Sequence, residues 1–300
     1  MKSLKEKIKI ALGWRRLKKW LILRDQGRVA KLCDKIITNH SSQDAVNTAK
    51  KSELIGKKII WQYWAQGLED PNMPEVVRHC LESVRKNLRN DELLICLSDY
   101  DLKEYIYIPD ELRKRIQSKS RAVFSDLLRY GLISMYGGCW LDATIFLTDS
   151  LPNFWDRPIF MYSRSKDEEH KKYWSNSFYY YFGWGRDFKV NHLNSIIFAK
   201  PNNELMVLLY EILLNYFEES EEIPTYFFTQ ILMEQLLLGR CKNCGLTTAN
   251  DCIPHYLQQY LNDEHFYIKD LKTILNATPI HKLTYKGLKN VEILRNLTKE

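Results

Sequence analysis

An α/β domain with a mostly parallel sheet, preceded by a basic helical arm, is predicted by three features of the sequence. Strand, helix and strand follow one another between Lys57 and Leu97. A helical run from Arg121 ends at Gly137-Gly138 and leads into a β-rich run. The positive charge is concentrated before residue 36. A chain of 300 residues with 45% hydrophobic content can bury a substantial core, which excludes disorder for its body.

Residues 1–35 hold twelve Lys/Arg and three acids, a balance of +9, whereas the whole chain carries +7. The rest is therefore near neutral and slightly acidic. A nucleic-acid enzyme would spread basic surface over its folded body, so nucleic acid is not expected as a partner. Residues 2–24 read as a helix, with Leu4, Ile8, Ala11 and Leu12 as a first apolar stripe that Trp14, Leu17 and Leu21 continue. Gly13 offers a point of bending. Such a segment suits an anionic membrane surface; a solvated helix on the body, or one that binds another protein, fits the same pattern. His40–Ser52 reads as a polar linker, so residues 1–52 form an arm and 53–300 the domain.

Lys57–Trp64 (KKIIWQYW) and Leu93–Leu97 (LLICL) are β-rich. Between them Pro74–Leu88 reads as a helix burying Val76, Val77, Cys80, Leu81 and Val84. This order gives a parallel crossover unit. Ligands of such sheets bind beyond the strand carboxyl ends, which places Gln62–Trp64 and Asp99 at a site edge. In Arg121–Leu147, residues Val123, Phe124, Leu127, Leu128, Gly131, Leu132 and Met135 recur at helical spacing. Cys139–Leu147 then reads as one strand, with Leu141, Ala143, Ile145 and Leu147 on one face and Trp140, Asp142, Thr144 and Phe146 on the other. Asp142 among apolar neighbours needs a cation, a donor array or a ligand. Asp126 and Arg129, three apart, can face each other, either as a local helix contact or as part of a site. Leu205–Phe217 reads as a buried helix.

The string SDLLRYGLISMYGGCWLDAT (Ser125–Thr144) resembles the donor-site signature of retaining GT-A glycosyltransferases with a DXD region, and more closely that of the bacterial capsular polysaccharide synthesis glycosyltransferases. IIWQYWAQG (Ile59–Gly67), LLICLSD (Leu93–Asp99), NSIIFAKPNN (Asn194–Asn203) and HKLTYK (His281–Lys286) follow in family order, so the resemblance spans about residues 55–288 and leaves the arm outside. It implies a GT-A-like (Rossmann-like) single domain that transfers a hexose-type sugar, with retention, from a nucleotide-sugar donor to a lipid-linked oligosaccharide in capsular or surface polysaccharide synthesis. Asp142, Asp126 and Arg129 would be catalytic, with Asp142 at the first DXD position and as the metal position. Trp61, Gln62 and Tyr63 would border the nucleobase, beside Asp99. Asn194 would lie near the acceptor side, and His281 and Lys282 would close over the diphosphate. Thr144 replaces the second DXD acid. Either Asp142 and the diphosphate hold Mg²⁺ or Mn²⁺ with water, or His281, Lys282 and Arg129 replace the metal. A non-catalytic nucleotide-sugar-binding or scaffold protein at the membrane is the competing reading.

Seven cysteines, an odd number, argue for a reducing compartment. No run of 18 apolar residues occurs, so a cytoplasmic protein, peripheral at the inner face of the cell membrane, is expected. Cys241, Cys244, Cys252 and His255 have a C-x₂-C-x₇-C-x₂-H arrangement, whose spacer is short for a structural zinc module; bystander cysteines are expected.

Overall fold

All five residues of β1 (Ile59–Tyr63) are buried, as expected of a strand covered on both faces. The computed structural model describes residues 4–41 and 49–299, without the side chains of residues 4–12, Arg15 and Lys299. β1 pairs in parallel with β2 (Leu93–Leu97), in register from Ile59↔Leu93 to Tyr63↔Leu97. The crossover is α2 (Glu75–Lys86), which buries Val76, Val77, Cys80, Leu81 and Val84, the face its apolar spacing predicts. On the other side of β1 lies β3 (Gly138–Leu141), again parallel. Beyond it come β6 (His192–Ala199), β5 (Ile159–Ser163) and β7 (Leu246–Asn250), giving the order β2-β1-β3-β6-β5-β7. β6 runs antiparallel to both neighbours, and β5–β7 are parallel. The sheet is thus mixed and mostly parallel, in a Rossmann-like α/β domain.

Between α3 (Asp110–Lys119) and β3 runs α4 (Arg121–Tyr136). The Ser120 hydroxyl caps α4 by accepting from the Val123 N–H at 3.3 Å. It ends at Gly137, where φ is 72°. Gly138 follows with φ of 109°, and a Cβ there would lie 2.5 Å from the Ile59 carbonyl oxygen. Only glycine lets the helix turn this tightly into a strand beside β1. α4 packs on α6 (Glu204–Glu219), which holds the expected buried run Leu205–Phe217; a Cβ on Gly131 would meet the Tyr210 ring at 2.7 Å.

The sequence expectation of one strand over Cys139–Leu147 is not met. The Ile145 N–H donates to the Asp142 carbonyl at 2.9 Å and closes a turn, while the Asp142 N–H donates to the Ser195 carbonyl at 3.0 Å. The chain then forms β4 (Ile145–Leu147), which pairs antiparallel with β8 (Ile280–Lys282) in a separate two-stranded sheet. Leu141, Ile145 and Leu147 still share one apolar cluster. Ala143 leaves them for Met73, Val77 and Leu81.

The division at residue 52 also changes. One continuous helix, α1 (Leu4–Asn39), runs through Gly13 and well past residue 24. Val29, Ala30 and Cys33 join the main core against α7 (Phe228–Leu238). The Gln235 amide donates to Asp34 at 2.6 Å, and Gln26 accepts from the Lys189 N–H at 2.8 Å. The second half of the arm is part of the body. The stripe Leu4, Ile8, Ala11 and Leu12 and linker residues 42–48 lie outside the described side chains and residues. Among the described residues no helix is long and apolar enough to cross a membrane.

Candidate active site

The carboxyl ends of β1 and β3 open into a cleft of about 380 Å³, within the range of small-molecule sites. Its floor is a charge network built from three elements. Arg129, on the buried face of α4, donates through one terminal nitrogen to Asp126 at 2.5 Å and through the other to Asp142 at 2.6 Å. The first contact follows from the three-residue helical spacing; the second joins the helix to the turn after β3. The guanidinium also lies 5.0 Å from the centre of the Trp140 ring, whose indole N–H donates to Asp142 at 2.8 Å.

The two carboxylates have different surroundings. Asp126 is 7% exposed, and it accepts from Arg129, from Asn194 at 2.9 Å and from the Thr229 hydroxyl. Burial pushes its pKa up, with Arg129 opposing. Asp142 keeps 26% of its side chain open. Burial acts upward there too, but Arg129 and then Lys282 outweigh it and hold the carboxyl below its usual range. Of the two carboxyls lining the cleft, Asp142 is the one held toward its charged form and the more open to solvent. Asp126, with its acceptors taken from within, orients Arg129 and Asn194.

Lys282, at the end of β8, enters from the far side. Its ammonium donates to the Thr144 hydroxyl at 2.5 Å and lies 3.4 Å from the second Asp142 oxygen. These contacts define what the protein itself offers a divalent cation. Asp142 offers one carboxylate, with one oxygen taken by Arg129 and Trp140 and the other facing Lys282. Thr144 supplies only a neutral oxygen. Among the described residues no group of three His, Cys, Asp or Glu could hold a metal ion. The protein's own donors here are thus one carboxylate, paired with Arg129 and Lys282, and one hydroxyl, bonded to Lys282.

The remaining sequence candidates separate into two groups. Tyr63 lines the cleft, and its hydroxyl donates to Asp99 at 2.5 Å. Asp99 also accepts from Gln117 at 2.7 Å and pairs with Arg121 at 3.3 Å, so it anchors the cleft edge rather than its floor. Asn194 lines the floor. Trp61 and Gln62 do not reach the cleft. Trp61 is fully buried, its indole N–H donates to the Gly137 carbonyl at 2.9 Å, and its ring packs against Tyr105 and Tyr136. Gln62 is fully buried on the other face of β1. His281 is also fully buried, 3.2 Å from the Thr148 hydroxyl, and burial lowers its pKa to about 3. Adjacent strand residues point to opposite faces, so His281 and Lys282 cannot both enter the cleft.

Tyr181, Tyr226 and Gln230 line the cleft without being singled out in the sequence, and Arg121 and Tyr285 lie in segments read there for other residues. The polar pair Thr229-Gln230 inside the otherwise apolar start of α7 was a legible signal for that element. Tyr226, on a loop, carried none. The Cys241/Cys244 pair and the Cys252/His255 pair flank β7, whose five extended residues span roughly 16 Å. Cys241 packs in the main core and Cys252 in another cluster.

A mixed α/β sheet with a charged, aromatic-rimmed cleft beyond its strand carboxyl ends defines a Rossmann-like α/β protein with a ligand-sized site. The chain belongs to the capsular polysaccharide synthesis protein family, which matches residues 17–297. That match begins within α1, ahead of the limit near residue 55 read from the separate motifs. No curated protein matches the chain.

Proposed function

We propose that the protein is a GT-A-like glycosyltransferase, which moves a hexose-type sugar from a nucleotide-sugar donor to a lipid-linked oligosaccharide during capsule synthesis. The observation that carries this reading is the set Arg129–Asp142–Lys282, a carboxylate between two cations on the floor of a ligand-sized cleft. Tyr63 and Trp64 give the nucleoside a ring-lined edge, and family membership supplies the biosynthetic context.

The chemistry requires the bond between the anomeric carbon and the diphosphate oxygen to break, with the electron pair leaving on oxygen. Lys282 and Arg129 lie where they neutralise that charge, since a fixed cation in a partly desolvated cleft is worth far more than in water. Asp142 fixes both cations and accepts from donor hydroxyls. The acceptor hydroxyl oxygen bonds to the anomeric carbon on the face the diphosphate leaves, and its proton passes to the departing phosphate oxygen. Configuration is retained without a protein nucleophile. Because Arg129 and Lys282 already compensate Asp142, no step is assigned to a divalent cation.

A panel of nucleotide sugars, assayed for slow hydrolysis and for transfer with Mn²⁺ or EDTA, tests the proposal. Turnover of at least one donor is the expected result. Binding without turnover would support instead a non-catalytic nucleotide-sugar-binding or scaffold protein, the reading that Thr144 at the second DXD position favours.

A further inference from the structure

The outward side of α1 forms a continuous surface whose chemistry changes along its length. Trp14, Leu17, Trp20 and Leu21 are 58%, 47%, 54% and 46% exposed, an unusual concentration of large apolar side chains in solvent. At 3.6 residues per turn these four occupy an arc of about 120°, with the tryptophans at its two edges and the leucines between them. The arc is centred roughly 160° from the line of Gln26, Val29, Ala30 and Cys33, which docks the same helix on the body. The exposed arc is therefore not an unfinished part of the core. Past Leu21 the outward side continues as Arg24, Arg28, Lys31 and Lys35, all exposed. Arg24 sits over the Trp20 ring at 5.4 Å, and Arg28 pairs with Asp25 at 2.9 Å.

We infer that the outward side of α1 lies flat on an anionic lipid bilayer, with the apolar arc in the headgroup–acyl boundary and the basic row over lipid phosphates. Tryptophan at the edges of an apolar arc places its ring where one side is apolar and the other wet. Arg16 and Lys18, both exposed, flank the arc, so their stems can lie along it while their charges reach headgroups. A second copy of this chain is a poor occupant. No acidic residue occurs between Lys7 and Arg24, so pairing two such helices sets cations against cations. Nucleic acid would satisfy the charges but leave the Trp/Leu arc in water. Because the opposite side of α1 is fixed to α7, docking fixes the orientation of the whole body and its cleft, unlike a flexible tether. Membrane docking of this kind does not depend on the catalytic role of the cleft.

The test is sedimentation of the full chain with vesicles of phosphatidylcholine, alone or with phosphatidylserine. Wild type is expected to sediment only with phosphatidylserine present and to be released by salt. Trp14→Ala with Leu21→Ala should abolish binding while keeping the circular dichroism and melting of wild type. Lys31→Ala with Lys35→Ala should weaken it about fivefold per lysine, from on the order of 1 kcal/mol per basic residue near the surface. The inference is overturned if wild type stays in solution with anionic vesicles, or if both double variants bind as wild type does. It is equally overturned if light scattering finds a dimer lost in the Trp14/Leu21 variant without vesicle binding, or if RNA is bound in place of vesicles.

Discussion

The Arg129 guanidinium on α4 lies 2.6 Å from Asp142 on the turn after β3, and the same side chain holds Asp126 one helical turn before it. Two buried or half-buried carboxylates thus share one cation. Removing a partner from such an arrangement leaves uncompensated buried charge. Arg129→Ala is expected to lose about 3–5 kcal/mol of stability, read by urea denaturation. Asp142→Asn should keep most of the stability and lower turnover by on the order of 10²-fold or more, as loss of a group that acts in the transition state does. A folded Asp142→Asn protein with full transfer activity would remove Asp142 from the chemistry.

The contact between Lys282 and Thr144 yields a second expectation. Sugar transfer should be unaffected by EDTA, and Lys282→Ala should reduce it by about 10²–10³-fold, the usual loss for one group that stabilises developing negative charge. Thr144→Asp places a second carboxylate beside Asp142, and with Lys282→Ala it should create Mn²⁺-dependent donor binding that wild type lacks. Calorimetric titration of nucleoside diphosphate with and without Mn²⁺ reads this directly. Strong inhibition of wild type by EDTA would contradict the assignment.

His281 and His255 are both buried, and burial lowers each pKa to about 3. In the unfolded chain they titrate near 6.5, so between about pH 6.5 and pH 3 the unfolded state binds protons that the folded state refuses. Stability is therefore expected to be full above that window and to fall as pH drops through it, by up to about 1.4 kcal/mol per pH unit for each histidine. Urea midpoints across this range check the slope. His281→Gln should flatten it, and an unchanged slope in that variant would mean that His281 is not kept neutral by burial.

Arg164 is the anchor of the loop that carries Tyr181 to the cleft. It pairs with Asp251 at 2.9 Å and donates to the carbonyls of Tyr181 and Gly183 at 2.6 and 2.7 Å. Arg164→Ala is expected to cost about 3–5 kcal/mol, because Asp251 and the loop carbonyls lose their partner. A thermal melt within a degree or two of wild type would show that the loop does not depend on this pair.

The parallel unit around β1 and the helix α4 were legible because apolar spacing and the Gly137-Gly138 stop are local signals. The cleft floor was legible in part. Asp126, Arg129, Asp142, Asn194 and Lys282 converge, whereas Trp61, Gln62 and His281 turn away. The alternation of strand faces already separates Gln62 from Tyr63 and His281 from Lys282, and reading whole motifs as one surface concealed it. The break at Asp142 was not legible, since its cause is a hydrogen bond to Ser195 on a distant strand. The docking of α1 was hidden for a related reason: its inner face is recognisable only beside α7.

The pairing of β4 with β8 sets an order of events during synthesis. Lys282 lies 140 positions after Asp142. At ribosomal rates of about 5–20 residues per second, it follows some 7–28 s behind. During that interval the nascent chain carries Arg129 and Asp142 but lacks the ammonium that completes the cleft. The site matures only once β8 is made, so a chain that stops before β8 would keep much of the sheet and lack a finished cleft.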